Sequence, residues 1–332
     1  MFKTPLCKQL GIEYPIFSVG MGPIAGAELA AAVSNAGGCG VIGLGARPAS
    51  HMRPEIHRLR TLTDKPFGVN LLLPLLQEGQ IEACLDERVP ILVLFWGDAK
   101  PYVEAAHRRG TKVFLQVGSV EEAEAAAAAG VDAIIAQGVE AGGHVKSTTS
   151  LSTIVPAVVD AVQPVPVIAA GGIANGRGLI AALSLGAQAV SIGTRFLCST
   201  EAEVARAYQE RVLKGKAEDT VYTKLFDIGW PDAAHRVLRN QAVVEWEAAG
   251  RPSSGQRPGE GRIVATVTFG GTTVELPKYS VMPPTTSFNG DIESVALYAG
   301  ESCSLINDVK PAAQIVQDLV READEVLEQM KR

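Results

Sequence analysis

Residues 136–196 read AQGVEAGGHVKSTTSLSTIVPAVVDAVQPVPVIAAGGIANGRGLIAALSLGAQAVSIGTRF, and the fold turns on this stretch. Two short apolar runs, 165–169 and 188–192, each lead into a glycine turn: Ala170-Gly171-Gly172-Ile173 and Ile192-Gly193-Thr194-Arg195. Backbone N–H groups can approach an anion closely where side chains are absent, so both turns suit a phosphate. A third turn, Glu140-Ala141-Gly142-Gly143-His144, closes the apolar run 132–137 and carries a histidine among glycines.

Outward from here the same alternation repeats. Apolar runs at 15–19, 40–42, 66–70, 91–95 and 112–117 precede the three above. Segments of helical periodicity separate them, at 25–36, 48–62, 75–85, 99–109, 120–129, 151–162 and 178–185. Strands that are apolar throughout, instead of alternating, belong to a parallel sheet covered by helices. Eight strand–helix units are the count of a closed (β/α)8 TIM barrel. A doubly wound sheet would carry its glycine fingerprint after the first strand. Here the phosphate-like turns follow strands seven and eight, where barrels bind phosphate. The expected fold class is therefore α/β: a TIM barrel over 1–205, completed by a C-terminal helix within 306–332, with a smaller cap region at 206–305.

In the cap region, 201–213 and 241–249 read as helices and 221–227 as a strand. Residues 263–269 and 272–276 read as a hairpin about Gly270-Gly271. The polar segment RPSSGQRPGEGR (251–262) reads as mobile. From Asp308 a single helix is expected, its apolar stripe running Ile315, Val316, Leu319, Val320, Ala323, Val326, Leu327 and Met330.

The chain has 332 residues, 47% apolar and 20% charged, with net charge −6 and no basic cluster. That balance argues against nucleic acid or anionic membrane as the main partner. Five scattered cysteines without a C-x-x-C pair argue against a disulfide framework or a cysteine-rich zinc site. No apolar segment reaches the ~20 residues needed to span a bilayer, and the start lacks a signal-peptide core. A cytoplasmic location is expected, and a homo-oligomer is left open.

For chemistry, Gly171, Gly172, Gly193 and Thr194 are the candidate phosphate grip, with the helix from about Gly178 supplying its dipole. His144, at the carboxyl end of strand six, is the candidate catalytic group, as a neutral base or as a cation holding an anion. His51, His57, His107 and His235 fall on predicted helices or surface turns and are read as structural. Asn70, Gln116 and Gln137 are polar residues on or closing apolar strands; each could hydrogen-bond a flavin ring or, taken singly, as easily cap a loop. No nucleophile elbow, H-E-x-x-H motif or carboxylate ladder is present, so acyl transfer and metal-assisted hydrolysis lack support and no metal site is expected.

The blocks LAAAVSNAGGCGVIG (29–43), PFGVN (66–70), QGVEAGGH (137–144), VIAAGGIANGRGLIAALSLGAQAVSIGTRF (167–196) and YAGES (298–302) resemble the nitronate monooxygenases, formerly 2-nitropropane dioxygenases. The resemblance implies FMN as cofactor on a (β/α)8 barrel with a smaller substrate domain. Asn70, Gln116, Gln137, Gly142, Gly172, Ser191, Ile192, Gly193 and Thr194 would then contact FMN. Met21 and Gly22 would lie against the flavin, and the Gly171–Gly172 and Gly193–Thr194 turns would hold its phosphate. His144 would be the base or substrate anchor. The implied reaction is oxidation of an alkyl nitronate by O2 to a carbonyl compound and nitrite, without nicotinamide. Two rivals stand beside it: an FMN-dependent NAD(P)H-using reductase (enoyl-ACP or quinone) on the same barrel, and a non-catalytic flavin-binding barrel.

Overall fold

The computed structural model describes residues 3–45, 47, 49–269 and 272–331. Eight parallel strands form one sheet: β1 Ile16–Ser18, β2 Gly40–Gly43, β3 Phe67–Leu72, β4 Ile91–Phe95, β5 Lys112–Val117, β6 Ala133–Gln137, β7 Val167–Ala170 and β8 Ala189–Ile192. Each pairs with its sequence neighbours, and β8 pairs with β1. A parallel bridge from Phe17 to Cys39, with Cys39 N–H donating to the Ile16 carbonyl at 2.8 Å, joins β1 to β2 and closes the ring. The fold is the expected (β/α)8 barrel.

Its seven outer helices are α1 Ala27–Asn35, α2 Ala49–Leu62, α3 Gln80–Asp86, α4 Lys100–Arg108, α5 Val120–Ala129, α6 Leu151–Val162 and α7 Gly176–Ser184. Pro48, where the sequence starts α2, lies outside the described residues. The eighth helix position is filled from the far end of the chain. Helix α8, Ala312–Met330, packs against α7 and α1. Ile315, Val316, Leu319 and Ala323 of its stripe are buried, whereas Met330 is 71% exposed and lies beyond the contact. Burying each large aliphatic contributes roughly 1.5–3 kcal/mol.

The barrel interior is a packed layer of Phe17, Val41, Val93, Phe114, Ile135 and Ile168. A short helix that sequence reading passed over, Pro5–Leu10, plugs its lower end with Leu6, Cys7 and Leu10. Its local signals are complete: Thr4 caps the N-terminus, Pro5 opens the helix and Gly11 ends it in the left-handed conformation.

Beyond β8 the chain forms helices Arg206–Lys214 and Gln241–Ala248 and two small sheets. In one sheet, Thr220–Thr223 pairs antiparallel with His235–Leu238, which pairs with Gly143–His144 from the barrel loop after β6. In the other, Ile263–Phe269 pairs with Thr272–Pro277 as the sequence suggests; the turn at Gly270-Gly271 lies outside the described residues. Leu225, Phe226, Val237, Ala242, Val243, Tyr279 and Ala296 give this part its own core.

The 251–262 segment departs from expectation, because it is tied down by a buried arginine. Arg257 is 5% exposed and donates to the Leu225 carbonyl and to Asp227, both at 2.7 Å, and to Glu260. Its guanidinium also lies 4.6 Å from the Tyr279 ring centroid. Composition reports that such a segment is polar, but cannot report that one of its charges has partners elsewhere in the chain.

Candidate functional site

Barrel register determines which side chains share the upper rim. Gln137 ends β6 opposite Ala170, Ala170 pairs with Ser191, Ile192 pairs with Ser18, Asn70 pairs with Gly43, and Gln116 pairs with Phe95. The turns that follow therefore converge. Met21, Gly22, Asn70, Gln116, Gln137, Gly142, His144, Gly171, Gly172, Ser191, Ile192, Gly193 and Thr194 all line one cavity at this rim. Every residue selected from sequence is there.

The two glycine turns differ in why they are glycine. Gly171 and Gly172 have φ of +111° and +68°, a conformation that L side chains rarely adopt. Gly193 has an ordinary φ of −103°, and a Cβ on it would come no nearer than 3.9 Å to Val19 or 4.0 Å to Met21. The protein leaves that space open. Gly142 is different again: a Cβ there would stand 2.3 Å from the Gly300 nitrogen, so its lack of a side chain already has a packing cause.

Donors at the turns are available, but not from the helix that the sequence nominates. At the N-terminus of α7 the Gly176 N–H donates to Glu322 Oε2 of α8, and the Gly178 N–H to Asn175 Oδ1, each at 3.0 Å. The positive end of that dipole is met by a protein carboxylate. The N–H groups of Gly171, Gly172, Gly193 and Thr194 have no protein acceptor among the described residues.

Three polar residues are partly engaged by protein. The Gln137 Nε2–H donates to the His144 carbonyl at 2.9 Å and its Oε1 accepts from Lys146 N–H at 3.2 Å, so its amide brackets the histidine. Asn70 donates to the Val93 carbonyl at 3.1 Å, and Thr194 Oγ1 accepts from Gly300 N–H at 3.0 Å. Each keeps hydrogen-bonding capacity beyond these contacts.

His144 sits on the two-residue strand that pairs with His235–Leu238, packed among rings. Trp230 stacks on it at 4.2 Å and 26°, with Tyr298 at 5.4 Å, His235 at 5.5 Å and Trp96 at 6.4 Å. Its Nε2 is shielded from water and has no hydrogen-bond partner. Burial, aided by the neighbouring His235, pushes its pKa down to about 3, so in the ligand-free protein the imidazole is neutral at neutral pH. Of the two sequence readings, the cation is thus absent until something compensates it.

His235 does not lie on a surface turn. It is fully buried on the adjoining strand, with Nδ1 at 2.9 Å from the Ala233 carbonyl and Nε2 accepting from Phe226 N–H at 3.2 Å. Both ring nitrogens are satisfied within the fold, and burial lowers its pKa to about 4. His57 and His107 are helical and partly exposed, paired with Glu87 and Asp132.

Sequence reading missed the share of the cavity contributed by the chain beyond β8: Tyr208, Trp230, Val281, Met282, Pro283, Tyr298 and Ser302. Tyr298 donates to the Val281 carbonyl at 2.8 Å, while its own carbonyl accepts from Tyr208. One signal was present. The chain has only three tryptophans, and two of them touch His144. Among the described residues no cluster of His, Cys, Asp and Glu suits a metal ion, and no helix is long and apolar enough to cross a membrane.

A family model described as nitronate monooxygenase matches residues 3–81 and 75–322. The chain is 32% identical over 345 residues to the (3aS,4S,5R,7aS)-5-hydroxy-7a-methyl-1-oxo-octahydro-1H-indene-4-carboxyl-CoA dehydrogenase of Mycobacterium tuberculosis, covering 97% of this chain and 96% of that one. FabK from Thermotoga maritima superposes with a TM-score of 0.84 at 35% identity, over 100% of this chain and 99% of that one. Nitroalkane oxidase from Streptomyces ansochromogenes superposes with a TM-score of 0.77 at 27% identity, over 97% and 99%.

Proposed function

This chain belongs to the nitronate monooxygenase family of flavin-dependent oxidoreductases, and from that premise we propose that it uses FMN to oxidise alkyl nitronates with O2. The observation that carries the reading is His144, a neutral imidazole with an unpartnered, shielded Nε2, set on the wall of a cavity rimmed by unused backbone donors. A buried polar atom without a partner costs roughly 1–3 kcal/mol, which a ligand group would recover.

The residues present suit a flavin mononucleotide. The Gly171–Gly172 and Gly193–Thr194 turns offer N–H donors to a phosphate, with room at Gly193 that the fold itself does not need. Asn70, Gln116 and Gln137 offer amides to the ring system. Met21, Gly22, Gly142, Ser191 and Ile192 border it, and the cap region 206–305 closes over the substrate side. Bound FMN would accept electrons from the substrate and pass them to O2.

The protein's own part is proton handling and exclusion of water. With a neutral nitroalkane, His144 would take the α-proton, as a neutral imidazole can. With a preformed nitronate, the anion beside His144 would favour its protonated form, since opposite charges attract strongly where water is excluded. The anchoring cation is then created by binding and is not present beforehand.

A second reading is kept because a relative covering 97% of this chain is named as a dehydrogenase of a carboxyl-CoA. On that reading the same flavin site would take electrons from an acyl thioester instead of a nitronate. His144→Ala tests the first. It should abolish nitronate turnover while the yellow FMN complex persists. Unchanged turnover removes His144 from the chemistry.

A further inference from the structure

We propose that Trp230 is the positioning residue of His144, its indole fixing the plane of the imidazole and sealing it from water. The proposal rests on the reading of His144 as the proton-handling group, but its geometry is independent of any substrate. The two rings stack with centroids 4.2 Å apart at 26°, and Trp230 is 5% exposed on the cavity wall.

Trp230 is held in place by backbone. The Trp230 N–H donates to the Asp227 carbonyl at 3.0 Å, closing a tight turn. On the same turn Ile228 pairs with Ser280, its N–H donating to the Tyr279 carbonyl and its carbonyl accepting from Val281 N–H. Asp227 is in turn bound by buried Arg257. Trp96, itself 6.4 Å from His144, meets the Trp230 indole edge-on at 5.2 Å. Trp96 does so with φ of +66°, a left-handed conformation costly for so bulky a residue, which persists only where surroundings impose it.

Charged groups do not offer His144 a rival explanation. The titratable rings facing it are His235 and Tyr298, one neutral with both nitrogens bonded and the other donating its hydroxyl proton to Val281. The Lys146 ammonium lies over the Trp96 ring and pairs with Glu122; Asp227 pairs with Arg257. Without a carboxylate partner, the orientation of this half-buried imidazole falls to the ring stacked on it. Desolvation penalises the charged imidazole, while a stacked indole would favour it by cation–π attraction. Desolvation is the largest influence lowering the His144 pKa, and the indole stacked at 4.2 Å covers one face of the ring.

The test reads the histidine ring by NMR in the ligand-free protein, with the signal assigned through His144→Asn. In the wild type, His144 should show cross-relaxation with an indole ring and remain neutral to below pH 5. In Trp230→Leu its titration midpoint should rise by more than one pH unit, whereas Trp230→Phe, which keeps a ring face, should stay within half a unit of wild type. A wild-type midpoint near 6.5, absent ring cross-relaxation, or a Leu variant that titrates like wild type would each overturn the proposal; so would a Phe variant that behaves like Leu. The wild-type measurements decide even if the Leu variant does not fold. Because no turnover is involved, the result stands whether or not nitronates prove to be substrates.

Discussion

Replacing Gly193 with alanine separates what the fold requires from what a ligand requires. Its φ of −103° is open to any residue, and the added methyl would meet nothing closer than 3.9 Å. The flavin-free protein should therefore gain about 0.4–1 kcal/mol, because alanine restricts the unfolded chain. The same methyl would stand in the cavity beside the N–H groups of residues 193 and 194, where a phosphate oxygen must come within about 3 Å. Losing one charge-assisted hydrogen bond costs about 1.5–3 kcal/mol, which is roughly 10- to 100-fold in FMN affinity. Thermal unfolding of the flavin-free protein and fluorescence titration with FMN measure the two effects separately. Gly142→Ala is the contrasting control: with a Cβ 2.3 Å from the Gly300 nitrogen, it should destabilise the fold itself. Unchanged FMN affinity in Gly193→Ala, at undiminished stability, would refute the placement of the phosphate.

Two other outcomes follow from the buried charges and rings. His144 and His235 have pKa values lowered to about 3 and about 4, against 6.5 when unfolded, so below pH 6.5 the unfolded chain takes protons that the folded one refuses. Stability should be flat above that pH and fall on acidification, by about 2 kcal/mol at pH 5 from His235 alone, as urea unfolding at pH 7 and 5 would register. Arg257→Leu leaves half-buried Asp227 and Glu260 without their shared partner, which should cost about 1–3 kcal/mol. Limited proteolysis should then cut within 251–262 in the variant while wild type resists.

Much of this fold can be read in the sequence because each barrel strand is buried on both faces. ILVLF at 91–95 or AIIAQ at 133–137 advertises itself without any knowledge of its partners. The glycine turns are equally local, which is why Gly171, Gly172 and Gly193 could be named in advance. What stayed hidden depends on distant partners. Strand Gly143–His144 exists because His235–Leu238 lies beside it, and two residues carry no period of their own. Glu322 reads as one more polar position on α8, yet it meets the N-terminus of α7 and displaces the expected dipole from the site. His235 looked like a turn residue because HRVL is too short to announce a strand. Trp230 and Tyr298 reach the cavity only through the tertiary packing of the chain beyond β8.

The central claim is that substrate electrons enter a flavin beside His144 without nicotinamide. Anaerobic mixing of the FMN-loaded protein with an alkyl nitronate tests it most directly, followed by flavin absorbance. The account predicts loss of the yellow colour with nitronate alone and its return on admitting O2. Bleaching by NADH or NADPH but not by nitronate would contradict it and favour the NAD(P)H-using reductase instead.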